Sequence, residues 1–294
     1  MLTMFGQILD DLKIRRTTLQ MAEVVVVPPN GALLDTYEFP WILRDALRQA
    51  PNLPVVIFPS SAYFPEVDPS FMFEGRPAAT TWIMREGNSF RHLQSAWGES
   101  LTRVGVRLEL DHDVVASAGK FLPTQFPSSG STGYLLVAAR LDRESSSSAL
   151  SRGSGAEKLP SLKSRLKRGW LKLPNSRVKT FIGRYAKRAE LQKSGKLLES
   201  RLSKVAWQDL GITPDVVATL PRRYVDISSP QFATYREYGK LIEGATAVIS
   251  DRLHVAMPAA LLGKPTVMVE AGYYKLGGVY QRSLTDLPNV YYVR

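Results

Sequence analysis

The sequence contains no cysteine, only three histidines and no long apolar run. The absence of cysteine excludes disulfides, thiolate nucleophiles and Cys-type zinc sites. Because His92, His112 and His254 lie far apart along the chain, we assign no metal, although a carboxylate-held Mg²⁺ stays an alternative. No segment approaches the ~18–20 apolar residues of a membrane span, and the N-terminus lacks a signal-peptide pattern. These features predict a cytoplasmic protein.

Two phosphate-binding motifs are also missing. The sequence has neither GxGxxG nor GxxxxGK[ST], which argues against a dinucleotide site or a P-loop. Its 294 residues, 44% of them hydrophobic, are enough for one large or two medium globular domains.

The net charge of +11 is concentrated in one segment. Residues 141–201 contain 16 Lys and Arg against 5 Asp and Glu, and the remainder holds 22 of each sign. A balanced body with one basic arm indicates a patch for an anionic surface. A nucleic-acid-binding protein is the weaker alternative, since the body offers no second basic face.

Apolar runs alternate with helical patterns along most of the chain. Polar residues follow each run, an order that predicts an α/β protein with parallel, doubly wound sheets. We place the domain boundary in the turn-rich stretch 126–133, giving domains 1–128 and 129–294, with a basic insertion at about 145–200. The expected strands are 23–27, 54–59, 80–84, 106–110, 134–139, 247–249, 266–269 and 290–293.

The most informative stretch runs from Thr246 to Val269. It predicts a strand, a helix capped by Ser250 or Asp251 and stopped by Gly263, and a second strand. Arg252 and His254 would then lie at the carboxyl end of a strand and beside a helix N-terminus, where anions bind. The alternative is an N-cap arginine and a structural histidine.

Other strand ends carry candidates with open alternatives. Arg140 follows the first strand of the second domain, and Lys275 lies in the predicted loop 270–280, where each would contact a phosphate or be an ordinary surface residue. Two arginines, a lysine and a helix N-terminus suit a small anion carrying phosphate and carboxylate.

The first domain offers weaker candidates. Arg85, next to Glu86, would line the facing domain or form a surface ion pair. Asp111 and Asp113 would supply an acid or base, or serve turn formation.

Several motifs in order resemble the polysaccharide pyruvyl transferase family. The strongest is Ser250-Asp251-Arg252-Leu253-His254 before an Ala/Leu-rich helix and Leu262-Gly263-Lys264-Pro265. The others are Phe58-Pro59-Ser60-Ser61-Ala62-Tyr63-Phe64, Met84-Arg85-Glu86-Gly87-Asn88-Ser89-Phe90, Leu110-Asp111-His112-Asp113, Ala139-Arg140-Leu141-Asp142-Arg143-Glu144 and Tyr274-Lys275.

The resemblance implies two Rossmann-like domains facing a cleft, as in B-type glycosyltransferases. It implies transfer of pyruvate as a ketal from phosphoenolpyruvate, the donor substrate, to sugar hydroxyls in exopolysaccharide or cell-surface polysaccharide synthesis, without a cofactor. Arg252, the Leu253 backbone and His254 would hold the donor, with Arg140 and Ser250 contributing. We assign His254 as general acid or proton shuttle because its ordinary pKa is near neutrality.

The resemblance also implies a lipid-linked saccharide acceptor at the inner face of a membrane. The segment 145–200, with its interleaved apolar residues, would rest on anionic lipid or be a solvated insertion. The alternative activity is a nucleotide-sugar-dependent glycosyltransferase of B-type fold.

Overall fold

The computed structural model describes residues 13–117, 133–141, 177–227, 235–270 and 274–294, together with residues 6, 9, 10 and 119. The chain forms two compact units, Met1–Thr124 with Gly277–Leu287, and Gln125–Leu276 with Pro288–Arg294. The predicted boundary between residues 128 and 129 lies outside the described residues and stays a prediction. Nothing in the sequence pattern indicates that residues 277–287 belong to the first unit.

The first unit is built on a parallel sheet of four strands whose spatial order follows the chain: Val25–Val27 (β1), Val55–Ser60 (β3), Thr80–Met84 (β5) and Val106–Leu110 (β6). A separate two-stranded parallel sheet pairs Leu33–Leu34 (β2) with Ala62–Tyr63 (β4). The elements are β1 Val25–Val27, β2 Leu33–Leu34, helix α1 Phe39–Leu47, β3 Val55–Ser60, β4 Ala62–Tyr63, β5 Thr80–Met84, α2 Gly87–Arg103, β6 Val106–Leu110 and the single turn α3 Val114–Ser117, with 3-10 turns at Leu19–Met21 and Pro69–Met72.

Aromatic packing fills the core of this unit. The Trp82 ring is fully buried, with the Phe73 and Phe64 ring centroids 5.8 and 6.2 Å away. Its indole N–H donates to the Ser60 hydroxyl over 3.1 Å. A buried indole with a satisfied donor anchors strand β5 against the end of β3.

The second unit contains a five-stranded parallel sheet in the spatial order Val290–Val293 (β11), Thr266–Val269 (β10), Ala245–Ser250 (β9), Tyr134–Ala138 (β7) and Arg222–Tyr224 (β8). Its inner strands are buried along almost their whole length, as expected for apolar strands covered by helices on both faces. The elements are β7 Tyr134–Ala138, α4 Arg177–Ser200, α5 Pro214–Thr219, β8 Arg222–Tyr224, α6 Tyr235–Glu243, β9 Ala245–Ser250, α7 Leu253–Leu261, β10 Thr266–Val269, α8 Lys275–Ser283 and β11 Val290–Val293, with 3-10 turns at Arg201–Lys204 and Trp207–Leu210. Helix α8 begins in the second unit and ends in the first.

The α/β class with parallel sheets is confirmed. The predicted loop 270–280 is wrong from Lys275 onward, where helix α8 begins. Helix α4 ends at Ser200, and two 3-10 turns follow. Residues 142–176, most of the basic insertion, lie outside the described residues. No helix within the described ranges is both long and apolar enough to cross a bilayer.

Candidate functional site

The strand order of the second unit reverses between β7 and β9. From β7 the chain passes to β8 on one side, and from β8 it goes to β9 on the other side of β7. Ligands of open α/β sheets bind at the carboxyl ends of the strands at such a switch point. Arg140 follows β7 and Arg252 follows β9. The topology therefore brings these two predicted donor residues to the same edge of the sheet.

Side chains of two adjacent residues join the exits of β7 and β9. The Ser250 hydroxyl donates to the Ala138 carbonyl over 2.9 Å and accepts from the Arg252 N–H at 3.0 Å. The Asp251 carboxylate accepts from the Arg140 N–H at 2.9 Å. Ser250 and Asp251, both fully buried, therefore hold the site together across strands.

This arrangement corrects the predicted helix cap. Arg252, not Ser250 or Asp251, is the N-cap of helix α7, and its side chain makes no capping hydrogen bond. Leu253, the first helical residue, is buried. Gly263 ends the helix in a left-handed conformation with φ +75°, as predicted.

The Arg252 guanidinium is held by a carboxylate that the sequence analysis missed. Its Nη2 lies 2.7 Å from Oδ1 of Asp226, and the two side chains are only 13% and 6% exposed. Asp226 follows β8, an edge strand that contains two arginines. The composition of this strand resembles that of a loop. The only sequence signal was an aspartate two residues beyond a short Arg-Arg-Tyr run.

His254 lies in the first turn of α7 at a break in the helix. Its ψ of 16° is not helical, and Pro258 lies four residues further on in the same helix. Proline lacks an N–H and its ring displaces the carbonyl of residue i−4, which here belongs to His254. The Tyr238 hydroxyl donates to that carbonyl instead. Tyr238 and Pro258, which the sequence did not assign to the site, therefore determine the backbone conformation of His254.

The neighbouring strand end carries a second polar pair. The Tyr292 hydroxyl, in β11, donates to the carboxylate of Glu270, which follows β10. Burial, followed by the neighbouring Glu270 carboxylate, raises the pKa of Tyr292. Arg201 donates to the Glu270 carbonyl over 3.1 Å. A protonated phenol and a carboxylate therefore share the carboxyl edge of this sheet.

Lys275 differs from the expected mobile loop cation. It is the first residue of helix α8 and only 9% exposed. Arg140 is half-buried, and its carbonyl accepts from the Ser194 hydroxyl at 3.4 Å. The convergence of Lys275 with the two arginines stays a prediction.

Arg85 and Asp113 of the first unit form a fully buried ion pair. Arg85 Nη1 lies 2.8 Å from Asp113 Oδ2, both side chains are 0% exposed, and Arg85 Nε donates to the Ser61 hydroxyl. The predicted surface pair of Arg85 with Glu86 is wrong. Glu86 accepts from the N–H groups of Asn88 and Ser89 at the start of α2.

Asp111 is exposed at the end of β6, next to the end of helix α8. Its carboxylate accepts from the N–H of His112 at 2.7 Å, a local turn bond. The Asp111 carbonyl accepts from Arg282 Nε at 2.8 Å, and His112 Nδ1 lies 3.0 Å from the Ser283 hydroxyl. Of the three first-unit candidates, only Asp111 presents an accessible side chain.

Comparison with known proteins finds a similar fold and, over part of the chain, a family match. No curated protein matches the chain. The crystal structure of an uncharacterised protein from Klebsiella pneumoniae subsp. pneumoniae has a similar fold, with a TM-score of 0.53 and 14% identity over 99% of this chain and 85% of that one. Residues 155–272, which include strands β9 and β10 and the Ser250–His254 turn between them, match the polysaccharide pyruvyl transferase family, so the predicted resemblance is confirmed over this stretch.

Proposed function

We propose that the protein transfers pyruvate from phosphoenolpyruvate, as a ketal, to two hydroxyls of a sugar in exopolysaccharide or cell-surface polysaccharide synthesis. One observation carries the proposal. The stretch that matches the pyruvyl transferase family contains Arg252 and His254, and these residues lie at the switch point of the second sheet. We extend it to two Rossmann-like domains of the B-type glycosyltransferase kind, with the acceptor on the first and the donor on the second.

The donor carries a phosphate and a carboxylate, and the switch point offers groups for both. Arg252 and Arg140 supply guanidinium groups, which bind oxyanions through paired N–H donors. Asp226 fixes the Arg252 side chain, so that group is already oriented before substrate binds. The Leu253 N–H lies in the first turn of α7, where helix donors favour anions.

The reaction begins with proton transfer to C3 of the enol phosphate, which makes C2 an oxocarbenium-like centre. His254 supplies this proton, and the first sugar hydroxyl attacks C2 and loses its own. The bond from C2 to the phosphate oxygen then breaks, and the arginines stabilise the departing phosphate. Attack by the second hydroxyl closes the ketal. Of the two hydroxyl protons, one balances the new methyl group and the other leaves with phosphate.

The cellular setting is part of the proposal. A lipid-linked acceptor would place the enzyme at the cytoplasmic face of a membrane, with the basic segment 145–200 against anionic lipid. Co-sedimentation with vesicles containing phosphatidylglycerol tests this for the full chain and for a chain lacking residues 145–176. Equal binding of both would contradict a membrane role for the deleted part.

Phosphate release from phosphoenolpyruvate, screened over candidate lipid-linked saccharides, tests the activity itself. We expect His254→Ala to lower kcat at least a hundredfold, the usual range for a lost general acid. Arg252→Gln should raise KM and also lower kcat, because Arg252 both binds the donor and stabilises the departing phosphate. Arg48→Gln, an exposed arginine at the end of helix α1, is the control.

Near-normal turnover by His254→Ala would contradict the proposed acid. Thermal stabilisation by nucleotide sugars but not by phosphoenolpyruvate would favour the glycosyltransferase alternative instead.

A further inference from the structure

A shallow cavity lies at the carboxyl edge of the first sheet. It has a volume of about 230 Å³. It is lined by Gly87, Asn88, Arg91, Leu110, Gly278, Gln281 and Arg282. Leu110 ends strand β6, and Gly87 begins the helix that follows β5. The cavity therefore occupies the edge where α/β sheets bind ligands.

Two arginines from different elements line this cavity. Arg91, exposed on helix α2, donates to the Asn88 side chain over 2.6 Å, which directs its guanidinium along the helix surface. Arg282 of helix α8 donates to the carbonyls of Asp111 and Leu110 over 2.8 and 3.4 Å. Each guanidinium carries five N–H donors in a planar fork suited to oxyanions.

The nearby carboxylates are already engaged. Glu86 is buried and accepts from the N–H groups of Asn88 and Ser89, so the helix end is capped and does not itself make the site. Asp111 accepts from the His112 N–H. Neither carboxylate lines the cavity, so the charged side chains that it presents to a ligand are the two arginines.

A glycine allows the two arginines to share one cavity. A Cβ on Gly278 would lie 2.8 Å from Oε2 of Glu86, so only glycine lets helix α8 approach the start of α2 this closely. Because Arg282 lies one turn further along α8, this approach sets its position beside Arg91.

We propose that Arg91 and Arg282 form an anion-binding subsite for a phosphate or carboxylate group of the saccharide acceptor. The cavity is smaller than the ~300–1,000 Å³ of sites that enclose a whole small ligand, so it takes one group of a larger molecule. The assignment of that molecule as the acceptor rests on the proposed function, whereas the anion site does not. Arg91 and Arg282 are thus the cations that this edge presents, whereas the predicted Arg85 is buried with Asp113.

Hydrogen exchange with mass spectrometry locates the site in the full chain. Inorganic diphosphate and glucuronic acid are the two probes, one for phosphate and one for carboxylate. We expect one of them to protect peptides from Gly87–Arg103 and from 277–283. Arg91→Gln should raise the dissociation constant at least tenfold, the effect of losing one charge-assisted hydrogen bond. Arg103→Gln, an exposed arginine at the other end of the same helix, should change it less than twofold.

Two results would overturn the subsite: no protection of these peptides by either probe, or equal protection in the Arg91→Gln chain. Arg282→Gln is a second variant, with circular dichroism as its folding control because Arg282 also holds two carbonyls. Protection of Leu253–Leu261 by phosphoenolpyruvate, lost in Arg252→Gln, tests the proposed function separately. The anion subsite and the proposed function can therefore be contradicted independently of each other.

Discussion

The Tyr238 hydroxyl donates to the backbone carbonyl of His254, in the place where an α-helix would use the N–H of residue 258. That residue is Pro258, which has no N–H to give. A side chain from helix α6 thus completes the first turn of α7. The backbone of the residue proposed as general acid is fixed by a contact between helices.

Tyr238→Phe should therefore affect the site more than its removal of one oxygen suggests. A half-buried carbonyl left without its donor costs about 1–3 kcal/mol, measurable by urea unfolding of the second unit. The pH profile of kcat should shift, because His254 would lose its fixed orientation. In a Pro258→Ala background a backbone N–H becomes available, and we expect the penalty to shrink. Equal penalties in both backgrounds would contradict this account.

Asp226→Asn tests the buried partner of Arg252. Removing one member of a buried ion pair leaves an uncompensated charge, which costs about 3–5 kcal/mol. We expect lower stability of the second unit by urea unfolding and a higher KM for phosphoenolpyruvate. Asp215→Asn, an exposed aspartate on α5, is the control. If the double variant Asp226→Asn with Arg252→Gln is no more stable than the single one, the pair is not coupled.

The two aspartates after β6 should behave differently. Asp113→Asn breaks the fully buried pair with Arg85 and should cost about 3–5 kcal/mol in the first unit. Asp111→Asn should stay within about 0.5 kcal/mol, because its carboxylate is exposed and its local bond can be kept by an amide oxygen. Chemical denaturation measures both, and similar losses would refute the distinction.

Glu86 should make the stability of the first unit depend on pH. Burial raises the pKa of its carboxyl above 4.5, against the opposing hydrogen bonds from Ser89 and Asn88. The folded state then holds a proton that the unfolded state has lost, so the contribution of Glu86 declines as pH rises from 4.5 through the raised value. In Glu86→Gln, whose amide oxygen still caps α2, this decline should vanish. Urea unfolding of both proteins across this range measures the difference, and a constant difference would contradict it.

Gly278→Ala tests the close approach of α8 to Glu86. The added methyl group meets a buried carboxylate at 2.8 Å, and overpacking of this kind costs about 1–3 kcal/mol. Gly98→Ala in α2 is the matched control, since its nearest neighbour is 3.5 Å away on the flexible Gln94 side chain. That change should stabilise the helix by about 0.5–1 kcal/mol. Thermal unfolding compares the two, and equal shifts would refute the packing argument.

The secondary-structure elements predicted correctly are those that depend only on short residue patterns. Short runs in which apolar residues continue or alternate with polar ones are recognisable as strands, so 80–84, 106–110 and 290–293 were predicted with the observed bounds. Strand β8 was missed because an edge strand can carry arginines on solvent-facing positions. Helix α8 was missed because Gly277 and Gly278 resemble a loop, whereas Gly278 serves a close helix contact.

The candidate site was predicted in part for the same reason. Arg252 and His254 lie in a local strand–turn–helix pattern with a recognisable chemistry. Their partners Asp226 and Tyr238 come from other elements, and only the fold brings them there. Arg85 shows the converse, since a charged residue after a strand has the same sequence pattern whether it faces a ligand or a buried aspartate.

The bonds that join β7 to β9 also constrain how the protein folds. One bond joins residues that are 111 positions apart in the chain, and the other joins residues that are 112 positions apart. Closing a loop of that length costs about 4 kcal/mol in chain entropy by (3/2)RT ln n. Strand β7 is fully buried in the finished sheet, yet one of its edges stays unpaired until β9 has been synthesised. An apolar strand with an unpaired edge is prone to pair with other chains. During translation the nascent chain therefore exposes an apolar strand edge to aggregation between the emergence of β7 and that of β9.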